Sequence, residues 1–245
     1  MASLYVVESL DGVAVGGSVT LDGAEGRHAV TVSRVRVGET LRLSDGRGTV
    51  VSGAVDAVDR DSLVLSVASL SVDPLPVPSL TLVQALAKGG RDEMAVQAST
   101  EIGVDRIVPW SAARSVSRWE GPKVEKGRSR WTAIAHEAAK QAIRSRVPEV
   151  GPLVTTAQLV PALGAGAAVL VLDPTATVRL ATWEPPADLD EIALVVGPEG
   201  GIDGSELDRL EAAGAIRVRL GDSVLRTSTA GPVALAILQA GLGRW

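Results

Sequence analysis

Two stretches near the carboxy end combine residue types that could hold a ligand and act on it. One reads Ile192-Ala-Leu-Val-Val-Gly-Pro-Glu-Gly-Gly201; the other reads Ile216-Arg-Val-Arg-Leu-Gly-Asp-Ser-Val-Leu-Arg-Thr-Ser-Thr-Ala230. Gly197, Gly200 and Gly201 fall close together, and backbone without Cβ atoms lets a ligand approach. An anion is poorly served there, because Pro198 has no N–H to offer it. The chain holds neither G-x-G-x-x-G nor G-x-x-x-x-G-K-[ST], which excludes nucleotide hydrolysis on a phosphate loop. Two tight turns of a glycine-rich sheet protein are the competing reading of these residues.

The elements that must position them follow from the same stretches. Ile192–Val196 and Ile216–Leu220 are apolar runs of strand length, each ended by glycine. Asp203 to Ala213 reads as a helix between them. Asp203 and Glu206 have capping-box spacing, Leu207 and Leu210 supply a buried stripe, and Gly214 suits the position after the helix. Strand, turn, helix, strand, turn is a parallel α/β unit, whose ligands collect beyond the carboxyl ends of the strands.

In their order, Gly197-Pro-Glu-Gly-Gly201, Leu220-Gly221 and Leu225-Arg-Thr-Ser-Thr-Ala230 resemble the RsmE family of SPOUT methyltransferases. The resemblance implies an α/β fold with a knotted, parallel-sheet C-terminal domain behind a small PUA-like β-barrel. It implies S-adenosyl-L-methionine as cofactor, and N3 of a uridine in 16S ribosomal RNA, or the small ribosomal subunit, as substrate. A homodimer is implied as well. The family usually writes Leu-Arg-Thr-Glu-Thr-Ala, and Ser228 stands where its Glu would be, so that carboxylate takes no proton here.

Composition sets the outer bounds. With 245 residues, 46% of them hydrophobic, the chain suits one large or two ordinary domains with sizeable cores. No apolar run is long enough for a transmembrane helix, and Met1-Ala-Ser-Leu-Tyr-Val-Val lacks the features of a secretory signal. There are no cysteines and two histidines, which excludes disulfides and thiolate chemistry and leaves no basis for a Cys/His metal site. A cytoplasmic, metal-free protein without a membrane partner is expected. The net charge of −5 hides a division: residues 88–146 carry 12 basic and 7 acidic side chains, whereas both flanking parts are acidic. Local rather than total charge attracts a phosphate backbone; a solvated helix face is the alternative.

Residues 1–73 are expected to form the first domain. Short strands at Leu4–Glu8, Ser18–Leu21, Glu39–Leu43, Thr49–Val58 and Ser62–Ser69, with close turns, suggest a small barrel. A short helix interrupts them at Glu25 to Val35. Arg27-His28 and Val32-Ser-Arg34 are similar to RsmE segments, and the resemblance implies that Arg27, His28 and Arg34 face RNA. The family's opening Arg before an aromatic strand is kept in Ser3-Leu4-Tyr5 only as the aromatic. Ser71 to Pro78, with three prolines, reads as an extended linker, and residues 74–245 as the methyltransferase domain.

That domain should open with the buried strand Ser79–Ala87 and a helix from Asp92 to Ile102 with Met94, Ala98 and Ile102 on its inner face. Lys88-Gly-Gly-Arg91 and Glu101-Ile-Gly-Val104 resemble further family segments, as does Arg114-Ser-Val116 after the strand Ile107–Trp110. Arg114 is thus expected to reach substrate, an ion pair with Glu101 being the structural alternative. Lys123 to Arg146 is the longest helical signal, stopped by Val147-Pro148. Trp131, Ile134, Ala135, Ala138, Ala142 and Ile143 keep three–four spacing. Glu137, Gln141 and Arg144 resemble Glu-Ala-x-x-Gln-x-x-Arg of the family, with Gln141 one turn after Glu137 and Arg144 one turn after Lys140. Lys88, Arg91, Gln141 and Arg144 complete the expected RNA contacts. Ala167–Leu172 reads as another buried strand, residues 175–190 as irregular. A closing helix runs from Thr229, its cap, to Gly241, with Pro232 in its first turn and Val233, Ile237 and Leu238 inward.

The resemblance assigns the cofactor pocket to Leu172, Val196, Gly197, Glu199, Gly201, Leu220, Gly221 and Leu225, with Arg226 beside it. Arg226, permanently charged, is expected to stabilise a uracil anion, with Arg114 second. Glu199, Asp222 and water are the candidate proton acceptors. Two alternatives stay open: methylation elsewhere on RNA, including a ribose 2′-OH, and an RNA-binding module without catalysis.

Overall fold

The structure, a computed structural model, describes residues 4–163 and 166–245. The reading of Met1, Ala2 and Ser3 therefore lies outside the described residues. The chain divides into two compact units, Met1–Leu75 with Ala139–Val147, and Pro76–Ala138 with Pro148–Trp245.

In the first unit, strands β1 (Leu4–Val6), β2 (Ser18–Leu21), β3 (Thr40–Ser44), β4 (Thr49–Val58) and β5 (Leu63–Val72) form one sheet in the order β1-β3-β4-β5-β2. Only β1 and β3 run parallel. Alternating Leu63, Leu65 and Val67 point inward against Tyr5, Leu21, Leu43 and Val51, the period-two pattern of a half-buried strand. At a bulge in β4 a Cβ on Gly53 would sit 1.8 Å from the Ser66 carbonyl oxygen, so only glycine fits. Helix α1 (Gly23–Arg27) runs into a π-helical turn, His28–Val32, where a plain short helix was expected. Strand β5 also reaches two residues into the expected linker, pairing Ser71 with Val50 and Val72 with Thr49.

The later segment 139–147 belongs to this unit. Val147 donates to the Gly46 carbonyl, Gly48 to that of Ser145, and the Arg146 guanidinium to that of Asp73. Lys140 meets Glu25 at 2.5 Å with both side chains largely buried.

The second unit is built on parallel strands. In chain order it comprises β6 (Ser79–Ala85), α2 (Arg91–Ile102), β7 (Arg106–Ser111), α3 (Pro122–Gln141, its last residues in the first unit), β8 (Glu149–Val150), β9 (Val154–Thr155) and α4 (Thr156–Leu159). Then follow β10 (Ala167–Leu172), β11 (Val178–Arg179), β12 (Glu191–Val196), α5 (Gly204–Ala212), β13 (Ile216–Arg219) and α6 (Thr227–Gly241). The sheet order is β11-β13-β10-β12-β6-β7-β8, with β9 also on β7. Every residue of β12 is buried, as a parallel strand covered on both faces requires. Among the described residues no helix is long and apolar enough to cross a membrane.

Three helices differ from their sequence reading. In α2 the buried residues are Asp92, Ala95, Val96, Ser99 and Thr100, while Met94 is 60% exposed. The inner face is made of small and hydroxyl side chains; Thr100 donates to the Val96 carbonyl, which offsets the cost of burying its hydroxyl, whereas the buried Ser99 hydroxyl has no hydrogen-bond partner among the described residues. In α3 the helix stops at Gln141, because Ile143 takes φ +57°. Ile143 is accordingly exposed, and Arg144 leaves the ridge it was expected to share with Lys140. In α6 the first residue is Thr227, with Arg226 as N-cap, so Thr229 caps nothing and Pro232 lies beyond the first turn. Packing turns Ala234, Leu235 and Leu238 inward and leaves Val233 at the surface.

Candidate active site

Strands β13, β10 and β12 lie side by side in that order, and all run the same way. Their carboxyl ends therefore share one edge, and a cavity of about 530 Å³ opens beyond them. It is lined by Leu172 after β10, by Val196, Gly197, Glu199 and Gly201 after β12, and by Leu220, Gly221, Leu225 and Arg226 after β13. Arg91, at the start of α2, joins them. The two glycine turns, 24 positions apart in sequence numbering, thus face one space.

Local chemistry shapes each wall. A Cβ on Gly197 would come within 2.6 Å of Ile202 Cγ1, so the bare glycine lets Ile202 pack into the turn. Gly201, at φ +72°, donates back to the Pro198 carbonyl at 2.9 Å. Helix α5 then starts from the capping box: Asp203 accepts from Ser205 N–H, and buried Glu206 accepts from Asp203 N–H at 3.4 Å. Glu206 also takes the Thr156 hydroxyl and the Ala113 N–H. On the opposite wall Asp173 accepts from Thr175 N–H and from Arg217 Nε at 2.9 and 2.7 Å. Burial alone would push the Asp173 carboxyl up; the Thr175 and Arg217 donors outweigh it and hold it below the usual range.

The floor is a chain of hydrogen bonds. Gln84, fully buried at the end of β6, donates through Nε2 to Thr227 Oγ1 at 2.9 Å, and the Thr227 hydroxyl donates to the Gly197 carbonyl at 2.8 Å. Three elements are joined there: β6, the turn after β12 and the first turn of α6. Neither residue was singled out from sequence as part of the site. Gln84 had a signal, the lone amide in a buried strand whose other polar residues are Ser79 and Thr81; Thr227 had none beyond its place in the Leu-Arg-Thr stretch.

Charged groups at the rim are arranged unequally. Glu199 accepts from Arg91 Nη1 at 2.8 Å and from Lys88 N–H at 3.2 Å. Burial pushes this carboxyl up, but its own backbone N–H and the Arg91 and Lys88 donors outweigh that and leave it below its ordinary value. Asp222 is mostly exposed and paired with Arg219 at 3.1 Å. Arg226 lines the cavity, is exposed, and has no ion pair among the described residues. Such a guanidinium is available to an incoming anion.

Arg114 is not among the residues lining this cavity. Its guanidinium pairs with Asp203 at 3.0 Å and reaches the Gly200 carbonyl at 3.3 Å. The alternative partner Glu101 instead accepts from Gln97 one turn earlier. Of the expected RNA contacts, Arg27, His28, Arg34, Gln141 and Arg144 lie in the first unit, and Lys88 and Arg91 in the second. Arg27, His28 and Arg34 are exposed around the π-helical turn, Arg34 at φ +56°. Among the described residues no group of three or more His, Cys, Asp or Glu side chains could hold a metal ion.

Comparison with known proteins adds a second line. The family described as RNA methyltransferase domain matches residues 73–239, and the one described as RNA methyltransferase PUA domain matches residues 21–68. A Mycobacterium bovis relative named ribosomal RNA small subunit methyltransferase E is 43% identical, over 100% of this chain and 94% of its own. A Bacillus subtilis relative of the same name is 28% identical, over 89% and 88%. Among solved structures, ribosomal RNA small subunit methyltransferase E from Neisseria gonorrhoeae, bound to S-adenosyl methionine, superposes with a TM-score of 0.87. It is 26% identical, with 98% of each chain covered.

Two outcomes follow from the floor and the rim. Thr227→Val leaves the Gly197 carbonyl without its partner and should lower the unfolding free energy by about 1–3 kcal/mol in urea denaturation. A loss no larger than that of exposed Thr229→Val would show that the chain of bonds carries no stability. Because the folded Glu199 carboxyl titrates below its unfolded value, its stabilising contribution is present at neutral pH and disappears as pH falls through the folded midpoint. Arg91→Gln should move that midpoint upward, read from the carboxyl carbon by NMR; an unmoved midpoint contradicts the assigned cause.

Proposed function

Since the chain belongs to the ribosomal RNA small subunit methyltransferase E family, we propose that it methylates N3 of a uridine in small-subunit ribosomal RNA. S-adenosylmethionine is the methyl donor in this reading. The architecture is that of the family, a PUA-like domain followed by a SPOUT α/β domain. The observation that carries the proposal is Arg226, without an ion pair among the described residues, on the lip of a glycine-lined cavity at the carboxyl ends of three parallel strands.

The residues present suit that donor. Leu172, Val196, Leu220 and Leu225 give apolar walls, and the main chain at Gly197 and Gly221 offers hydrogen-bonding groups to a heteroaromatic edge. A Cβ on Gly221 would point into open space. The bound donor supplies an electrophilic methyl group on a sulfonium. Everything else falls to the chain. Its walls hold the reactants in line, which converts a bimolecular displacement into a positioned one.

Uracil N3 must lose its proton to become a nucleophile, and the ring then carries negative charge. Arg226 offsets that charge as it develops. The Glu199 carboxylate is occupied by the Arg91 and Lys88 donors, so the proton passes to a solvent base, and the Arg226 charge eases its departure by favouring the ring anion. Uracil N3 is occupied in a paired helix, hence the target uridine is unpaired or extruded. The same reading places the protein in the cytoplasm as a homodimer, with a knotted path through the second domain.

Incubation with methyl-labelled S-adenosylmethionine and small-subunit RNA should yield N3-methyluridine; label on a ribose or a ring carbon refutes the assignment. Arg226→Ala should cut kcat by about 100-fold or more while donor affinity changes little. Equal losses in both would make Arg226 a donor-binding residue instead. Sedimentation equilibrium should give twice the 25.2 kDa chain mass, and a single-chain mass would remove the dimer.

A further inference from the structure

The loop that leads from β6 into α2, together with the first residue of that helix, lines two spaces. Arg91 lines the cavity described above, whereas Lys88, Gly89 and Gly90 line a second cavity of about 410 Å³ in the same unit. The Lys88 N–H reaches Glu199, a residue of the first cavity, at 3.2 Å. The two spaces are therefore neighbours across a few residues of backbone.

The second cavity has the makings of a base site. Trp119 and Trp131 form part of its wall, their rings 5.1 Å apart and edge to face at 74°. Trp131 is buried in the core, and half-buried Trp119 rests on α3 at Gly127. A Cβ at Gly127 would come within 2.4 Å of the indole, so the ring lies against bare backbone and is held in place. Gly89 and Gly90, also in the lining, take φ of +66° and +71° with open space on the side where a Cβ would stand.

Charge discriminates between ligands. Arg130 in this wall is already paired with Glu93 at 3.0 Å, and the Asp92 carboxylate accepts from the Ala87 and Glu93 N–H groups. Lys88 remains, exposed and without an ion pair among the described residues. Two cations against two carboxylates make a poor trap for a free phosphate. An uncharged flat ring finds an aromatic wall and close backbone, and one ammonium suffices for the phosphate attached to it.

We infer that this second cavity seats the nucleotide adjoining the target uridine, with its base against the Trp119 indole and its phosphate beside Lys88. That this seat adjoins the target's rests on the proposed methyltransferase reading; the cavity's preference for an unpaired nucleotide does not. Extruding the target unstacks its neighbour as well, and a second seat next to the first would hold the strand open.

Two variants of the full chain test this, one removing the wall and one filling the space from the rim: Trp119→Leu and Ser117→Phe. Each should raise the KM for small-subunit RNA about tenfold, while affinity for S-adenosylmethionine by calorimetry stays within about twofold. Trp119→Phe, which keeps a ring, should recover most of the loss. Unchanged RNA KM in Ser117→Phe with normal donor affinity overturns the inference, even if Trp119→Leu misfolds. Should the unaltered protein bind donor yet never methylate RNA, the activity reading fails separately. The dissociation constant for a short unpaired oligoribonucleotide then decides: about tenfold weaker binding in Ser117→Phe supports the seat, and equal binding removes it.

Discussion

The Thr227 hydroxyl is the joint on which the candidate site depends. It accepts from buried Gln84 and donates to the Gly197 carbonyl, so the end of β6, the turn after β12 and the start of α6 are held at one point. The Gly197 carbonyl is part-buried, and left unpaired there it would cost free energy, as a desolvated acceptor does. Without the joint the glycine turn would keep Ile202 as a neighbour but lose its tie to β6 and α6. Sheet order does the remainder: β10 sits between β12 and β13, so turns distant in sequence share one edge.

Side chains around that edge divide into those committed to structure and those left available. Asp173 with Arg217, Asp203 with Arg114, and Glu199 with Arg91 are paired, and Glu206 is buried under three donors. These pairs hold loops in register. Arg226 stands outside every one of them while facing the same cavity. A site that stabilises developing negative charge needs such a cation, placed in advance and not neutralised by a neighbour.

Much of this was legible in the residues. The glycine-ended strands, the Asp203–Glu206 capping box and the burial of β6 follow from apolar runs, capping chemistry and turn formers, all local properties. What misled was decided at longer range. The closing helix begins at Thr227 rather than Thr229 because Thr227 is held by Gln84, 143 positions away; two threonines in one short stretch look alike until that partner is known. The inner face of α2 could not be found from hydrophobic spacing, since it buries Ser99 and Thr100 and exposes Met94. Helix α3 ends at a positive φ on Ile143, a conformation a β-branched residue seldom adopts and no sequence pattern announces. Arg114 illustrates the same limit: its partner, Asp203, lies 89 positions away, while the nearer Glu101 is engaged within its own helix.

A crystal structure of the protein with S-adenosylmethionine, or its demethylated product, tests the central claim most directly. The expected result is a donor lying across the main chain of Gly197 and Gly221, between Leu172 and Leu225, with the Thr227–Gly197 hydrogen bond intact beneath it. Donor density at another place in the second domain, or a cavity filled by Ile202 and Leu225 after soaking, would contradict it.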